Sequence, residues 1–146
     1  MADGDTDVNP ATREALVSRL ARHDRLVEVG VGNRPDVARA LAAGGAEVTA
    51  TDVHDRPVPD GVRFVRDDVT APDDSVYADA DALYALNLPP DLHGPTWALA
   101  RRHDAAFLFT TLGGDPAAVR ADPETLPGET LFTARPAPGD RVGGRS

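Results

Sequence analysis

The stretch RLVEVGVGNRPDVARAL, Arg25 to Leu41, carries the first information about architecture. Leu26, Val27 and Val29 make a short buried strand, Gly30 and Gly32 a turn, and the segment from Pro35 a helix that Gly44 and Gly45 close as C-cap residues. Glycine at both turn positions permits a sharp bend and lets a ligand approach main-chain atoms that a Cβ would screen. The helix that starts beside the turn directs its free N–H groups to the same place. The turn reads as a cradle for a small polar ligand, and Glu28, a carboxylate inside an apolar strand, is expected to accept there from the loop backbone or a ligand ammonium.

Working outward, Pro10 to His23 places Ala15, Leu16, Leu20 and Ala21 at helical spacing. Strands are expected at Ala46–Asp52, Val62–Asp68, Asp81–Asn87 and Ala105–Leu112, the last so apolar that both of its faces should be covered. A helix is expected over Pro89–His103, and Glu129–Arg135 adds an edge strand. The connection VHDRPVPDG is too short for a helix, so the crossover from the second strand to the third should be irregular. Strands alternating with helices predict an α/β fold: a Rossmann-like, mostly parallel sheet of five or six strands with flanking helices. Residues 10–134 read as one domain, with 1–9 and 135–146 as flexible tails, the first of them acidic.

The chain has 146 residues, 24 Asp and Glu against 15 cations, and a net charge of −9; every one of those cations is arginine. Lysine and cysteine are absent. The Asp-rich, aromatic-poor composition resembles that of salt-accumulating archaea, in which carboxylates keep a surface hydrated where salt screens charge at short range. Lack of cysteine removes disulfides and thiolate zinc sites, and with no apolar leader or span the expected place is the cytoplasm. No basic stripe is present, which argues against nucleic acid as an electrostatic partner.

A dinucleotide fingerprint would need a third glycine where this chain has Pro35, which counts against nicotinamide cofactors. The acid-x-Gly-x-Gly pattern of Glu28, Gly30 and Gly32 instead resembles the first motif of class I S-adenosylmethionine (SAM) methyltransferases, from which Arg34 departs by replacing the motif's last glycine. That resemblance implies that Asp52, ending the second strand about twenty residues on, grips the ribose hydroxyls. It implies too that Asp68 accepts from the adenine amino group, with Val53 and Val69 beside these acids also in the cofactor site. Arg34 must either turn outward to solvent or enter the site, where it takes the cofactor carboxylate in a two-pronged hydrogen bond or blocks the pocket. With its short crossover and truncated architecture, the chain as a whole resembles the small archaeal proteins of uncharacterised protein family 0146, themselves methyltransferase-like in fold.

For chemistry, Asn87 in Asn-Leu-Pro-Pro is reminiscent of the Asn-Pro-Pro-aromatic motif of amino-methyltransferases, although Leu88 interrupts it and no aromatic residue follows Pro90. His54 is a candidate base at the adenine edge, and Tyr84 and Trp97 read as core. His93 and His103 lack partners at metal spacing, and no metal site is expected. Three functions follow: a SAM-dependent methyltransferase of unknown acceptor, a non-catalytic SAM or nucleoside binder or regulatory subunit, and a ligand-free Rossmann-like interaction domain.

The charge balance makes a prediction of its own. The thermal midpoint should fall as KCl is lowered from molar to millimolar concentration, because carboxylate repulsion then goes unscreened. A flat midpoint would overturn the high-salt reading of this lysine-free composition.

Overall fold

The computed structural model describes residues 9–136. The expected tails at 1–9 and 135–146 therefore lie almost wholly outside the described residues. In chain order the elements are α1 (Pro10–Leu20), β1 (Arg25–Val29), α2 (Asp36–Ala43), β2 (Glu47–Asp52), β3 (Val62–Arg66), β4 (Ala82–Leu88), α3 (His93–Arg102), β5 (Ala106–Thr111), β6 (Ala121–Leu126) and β7 (Glu129–Ala134). Single 3-10 turns occupy Asp74–Val76 and Pro90–Leu92. The strands form one seven-stranded sheet in the order β3-β2-β1-β4-β5-β7-β6. Pairings from β3 through β5 are parallel, and β7 and β6 are added antiparallel.

Local chemistry accounts for the elements. Asn9 caps α1, its side-chain oxygen accepting from the N–H groups of Ala11 at 2.8 Å and Thr12 at 3.4 Å, and Pro10 fills the first turn where its missing N–H costs nothing. Thr12, Leu16 and Leu20 form the buried stripe of α1. The helix stops at Leu20 instead of continuing to His23, and of the expected apolar positions Ala15 is half-buried and Ala21 exposed. With Ala21 exposed, Arg-His-Asp offers nothing apolar to hold a further turn against the sheet.

The sheet is covered on both faces. On one, α1 and α2 pack Leu16, Leu20, Val37 and Leu41 against Leu26, Val48, Tyr84 and Leu108. On the other, α3 brings Leu99 and Ala100 against Val27, Leu83, Phe107 and Phe109. Phe107, Leu108 and Phe109 are all fully buried, as expected for a strand with two covered faces. The rings of Phe107 and Phe109 stack at 4.7 Å and those of Phe109 and Phe132 at 5.5 Å. No helix among the described residues is long and apolar enough to cross a membrane.

Two expectations need correction. The sheet has seven strands, one more than the upper expectation, because ADPETL forms β6. Its sequence hides it: β6 is a half-exposed edge strand, where Pro123 forfeits a ladder bond that an edge does not require. The Glu129 strand is consequently interior, between β5 and β6, and not an edge. Pro127 and Gly128, the latter at φ 73°, join the two strands in the residue order of a type II turn. The Thr12 hydroxyl donates to the Pro127 carbonyl and so docks this turn on α1.

Gly128 is the tightest glycine among the described residues, since a Cβ there would stand 2.9 Å from Thr12 Oγ1 at a φ that side chains disfavour. Gly128→Ala should destabilise the protein by about 1–2 kcal/mol in urea unfolding, and Thr12→Ala in the same chain should recover part of the loss. An unchanged unfolding midpoint in Gly128→Ala would show that the turn does not bear on α1.

Candidate functional site

Strand order reverses between β1 and β4, so the crevice beside the β1–α2 turn opens at the carboxyl ends of these two strands. The turn is held from β2. The N–H groups of Gly30 and Val31 both donate to the Thr51 carbonyl at 2.9 Å, and that of Gly32 donates to Asp52 Oδ2 at 2.9 Å. Gly30 has φ 72° and Gly32 φ 60°, and a Cβ on either would find nothing within 4 Å. Their conformation needs glycine, and the space over them is open.

Two cavities meet at this turn. The first, of about 230 Å³, is bounded by Glu28, the Gly30–Arg34 loop, Asp36, Val37, Leu86 and Asn87. The second, of about 160 Å³, is bounded by Asp52, Val53, Asp67, Asp68 and Val69 among others, and shares Gly30, Leu86 and Asn87 with the first. The eight expected cofactor residues are thus brought together around one crevice: Glu28, Gly32 and Arg34 on one side, Asp52, Val53, Asp68 and Val69 on the other, and Gly30 between.

Glu28 is 2% exposed and accepts a 2.8 Å hydrogen bond from the Tyr84 hydroxyl across the β1–β4 pairing. Burial pushes its carboxyl up to about 7, with the Tyr84 bond opposing and the nearby Asp52 charge adding to the rise. The expectation that Glu28 takes loop N–H groups is corrected in part, since those groups go to Thr51 and Asp52. Tyr84 is fully buried as expected of a core residue, but its hydroxyl is the partner the acid needed.

Asp52 is also a structural residue of the turn. Its Oδ2 holds Gly32, its Oδ1 accepts from the His54 N–H at 3.0 Å, and Arg56 Nε lies 3.4 Å from Oδ1. Burial opposes its ionisation, but the His54 and Gly32 N–H groups and the Arg56 guanidinium together hold the carboxyl below the ordinary range. Each carboxylate oxygen retains acceptor capacity beyond these bonds. Arg56 also donates to Asn33 Oδ1 at 3.0 Å, a second tether on the loop.

The pair Asp67-Asp68 divides its work. Asp68 sits exposed on the second cavity, with Oδ1 accepting the hydroxyl of Thr70 at 2.7 Å and its N–H at 2.9 Å, which hold the carboxyl low. Asp67, which motif reasoning passed over, receives the buried Tyr77 hydroxyl at 2.6 Å and anchors the segment after β3. Val53 stands 48% exposed at the mouth of that cavity while Val69 is buried in its wall.

Asn87 borders both cavities in a left-handed conformation, φ 57°, where the β4–β5 register slips between Ala85 and Leu88. Its N–H donates to the buried Thr110 hydroxyl at 2.7 Å. A non-glycine residue held there marks a position fixed by its surroundings. His54, the other catalytic candidate, is corrected: its ring is exposed and borders neither cavity, and the residue meets Asp52 through its main chain.

His93 was missed. It is fully buried, its Nδ1 accepting from the Ala118 N–H at 2.9 Å and its Nε2 therefore donating to the Leu88 carbonyl at 2.9 Å. It thereby ties the end of β4 to the segment after β5. Spacing gave one clue, since His93, Thr96 and Ala100 share the buried face of α3.

The chain matches the uncharacterised protein family UPF0146 over residues 11–135. It is 52% identical over 119 residues to a UPF0146 protein of Halobacterium salinarum, covering 81% of this chain and 92% of that one. Among solved structures it resembles an RNA methyltransferase from Salinibacter ruber in complex with S-adenosyl-L-homocysteine, with TM-score 0.59, 18% identity, and coverage of 87% of this chain and 95% of that one. A TehB-like SAM-dependent methyltransferase from Corynebacterium glutamicum gives TM-score 0.54 at 17% identity, covering 86% and 97%. At these identities the likeness is one of fold: an α/β, class I SAM-methyltransferase-like sheet. The chain belongs to family UPF0146.

The raised Glu28 carboxyl has a measurable consequence. Folded protein keeps a proton that the unfolded chain releases between an ordinary carboxyl value near 4.5 and about 7, so stability falls as pH rises through that window. The cost at about pH 8 is on the order of 3 kcal/mol. Glu28→Gln should therefore be more stable than wild type in urea at about pH 8, and show a flatter profile down to about pH 5. Equal pH profiles would place the Glu28 carboxyl in water.

Proposed function

From this family membership and the crevice geometry, we propose that the protein binds SAM or a closely related adenosyl ligand across the two cavities. The adenosine lies in the second, its ribose on Asp52 and its base between Asp68, Val53 and Val69. The tail crosses Gly30 into the first. One observation carries the reading: an acid at the end of β2 and a buried acid on β1 flank a glycine turn with open space above it, at the strand-order switch where α/β sheets take ligands. Adenosyl ligands in the neighbouring folds support it.

Methyl transfer is the activity we assign to the site, with the acceptor approaching Asn87 from the β4 side. Asn87 and the main chain around it would orient a nucleophile in line with the sulfonium, and alignment alone lowers such a barrier substantially. Binding without transfer is the second reading, favoured by the exclusion of the His54 ring from both cavities. A ligand-free interaction domain would leave Glu28 buried without use. The lysine-free composition and the Halobacterium relative support cytoplasm of high salt as the working environment.

Calorimetry in molar KCl should detect S-adenosylhomocysteine and SAM and leave NAD unbound. Asp52→Ala should weaken both adenosyl ligands by about 1.5–3 kcal/mol, on the order of ten- to a hundredfold, with Asp52→Asn between it and wild type. Equal affinity in all three proteins would sink the assignment, and labelled methyl from SAM appearing on an acceptor would select transfer over binding alone.

A further inference from the structure

The first cavity is bounded by charge of both signs. Glu28 closes it from below, 2% exposed on β1, and Arg34, exposed on the loop, borders the same volume. That volume of about 230 Å³ is several times the roughly 30 Å³ of one liquid water, room for a compact polar group that reaches both side chains. The open space over Gly30 and Gly32 leaves a path into it.

The acids of this cavity are not equivalent. Asp36 has Arg39 at 3.8 Å and Arg13 at 4.0 Å from its oxygens. Glu28 carries the neutral hydroxyl of Tyr84, which satisfies a lone pair without cancelling a charge. A cation from a ligand is what would stabilise a carboxylate so deeply enclosed. Guanidinium, by contrast, matches a planar anion in two parallel hydrogen bonds. A phosphate on Arg34 would bring a second strong negative charge into the volume that Glu28 closes, where low dielectric magnifies repulsion. A carboxylate and an ammonium on one carbon satisfy both groups at once.

We propose that Arg34 and Glu28 together read the α-amino-acid head of the ligand, Arg34 taking its carboxylate and Glu28 its ammonium, so that the site requires an adenosyl compound that keeps its amino-acid tail. This rests on the adenosyl reading above and adds a specificity to it. Arg34, standing where the methyltransferase motif has glycine, is the determinant of that specificity.

The test is a titration of three ligands against wild type, Arg34→Ala and Glu28→Gln at one fixed ionic strength. S-adenosylhomocysteine carries both head groups, decarboxylated SAM lacks the carboxylate, and methylthioadenosine lacks both. Wild type should bind S-adenosylhomocysteine at least about tenfold more tightly than either of the others. Arg34→Ala should weaken S-adenosylhomocysteine by about ten- to a hundredfold while leaving methylthioadenosine within about twofold, and Glu28→Gln should weaken both ammonium-bearing ligands and spare methylthioadenosine. Wild type that binds methylthioadenosine as tightly as S-adenosylhomocysteine overturns the inference and leaves the adenosyl pocket standing. So does Arg34→Ala with unchanged preference, or with tighter S-adenosylhomocysteine binding, which would make Arg34 a block. Failure of all three ligands on wild type overturns the adenosyl reading and this one with it.

Discussion

The crevice depends on a set of hydrogen bonds at the end of β2. Three successive main-chain donors, Gly30, Val31 and Gly32, are taken up by the Thr51 carbonyl and the Asp52 carboxylate. A turn with two residues at positive φ does not hold its shape alone, and these acceptors fix it against a strand locked in register with β1 over five pairs. Arg56 adds a second tether through Asn33 and stands beside Asp52. The same carboxylate therefore shapes the loop and faces the second cavity. Anything that displaces the Asp52 carboxylate would also loosen the glycine turn.

Across the turn, the Glu28 carboxyl is held at the bottom of the first cavity by Tyr84. Its burial costs stability at neutral pH and above, and a fold can carry such a cost where the group has work to do. The β4 side is built with similar redundancy. Thr110 takes the Asn87 N–H, His93 takes the Leu88 carbonyl, and the ring of His93 lies 4.7 Å from that of Phe109. The left-handed Asn87 thus sits between two anchored points in a strand whose ladder is interrupted at that place. Anchoring of this kind keeps a strained position from relaxing.

The helices are few for so broad a sheet, and the cover is completed by smaller means. Between β3 and β4 there is a single 3-10 turn, and Tyr77 fills the space beside it with its hydroxyl on Asp67. Asp74 of that turn is bridged to Arg102 and His103 at the end of α3, the His103 contact being 2.7 Å. At the far end the β6–β7 hairpin extends the sheet, and the turn between its strands rests on Thr12 of α1. Short polar contacts take the place of long helices, consistent with a chain rich in Asp and Arg and poor in aromatics.

Much of this was legible in residue order. Apolar runs bounded by glycine and proline mark β1 through β5, and Glu28, Gly30, Gly32, Asp52 and Asp68, which resemblance to the methyltransferase motifs singles out, all border the crevice. Periodicity works there because each strand has its own apolar residues to bury, a local property. ADPETL has no such signal: β6 is a strand because β7 offers it a ladder, and β7 is interior because β6 completes it. The partners of the buried polar groups were equally out of reach. Tyr84 lies 56 positions from Glu28 and Ala118 lies 25 from His93, and parallel pairing and helix packing bring them within hydrogen-bond distance. Composition can say that a carboxylate inside an apolar strand must be satisfied. Which hydroxyl satisfies it depends on strand order and register, which long-range packing sets.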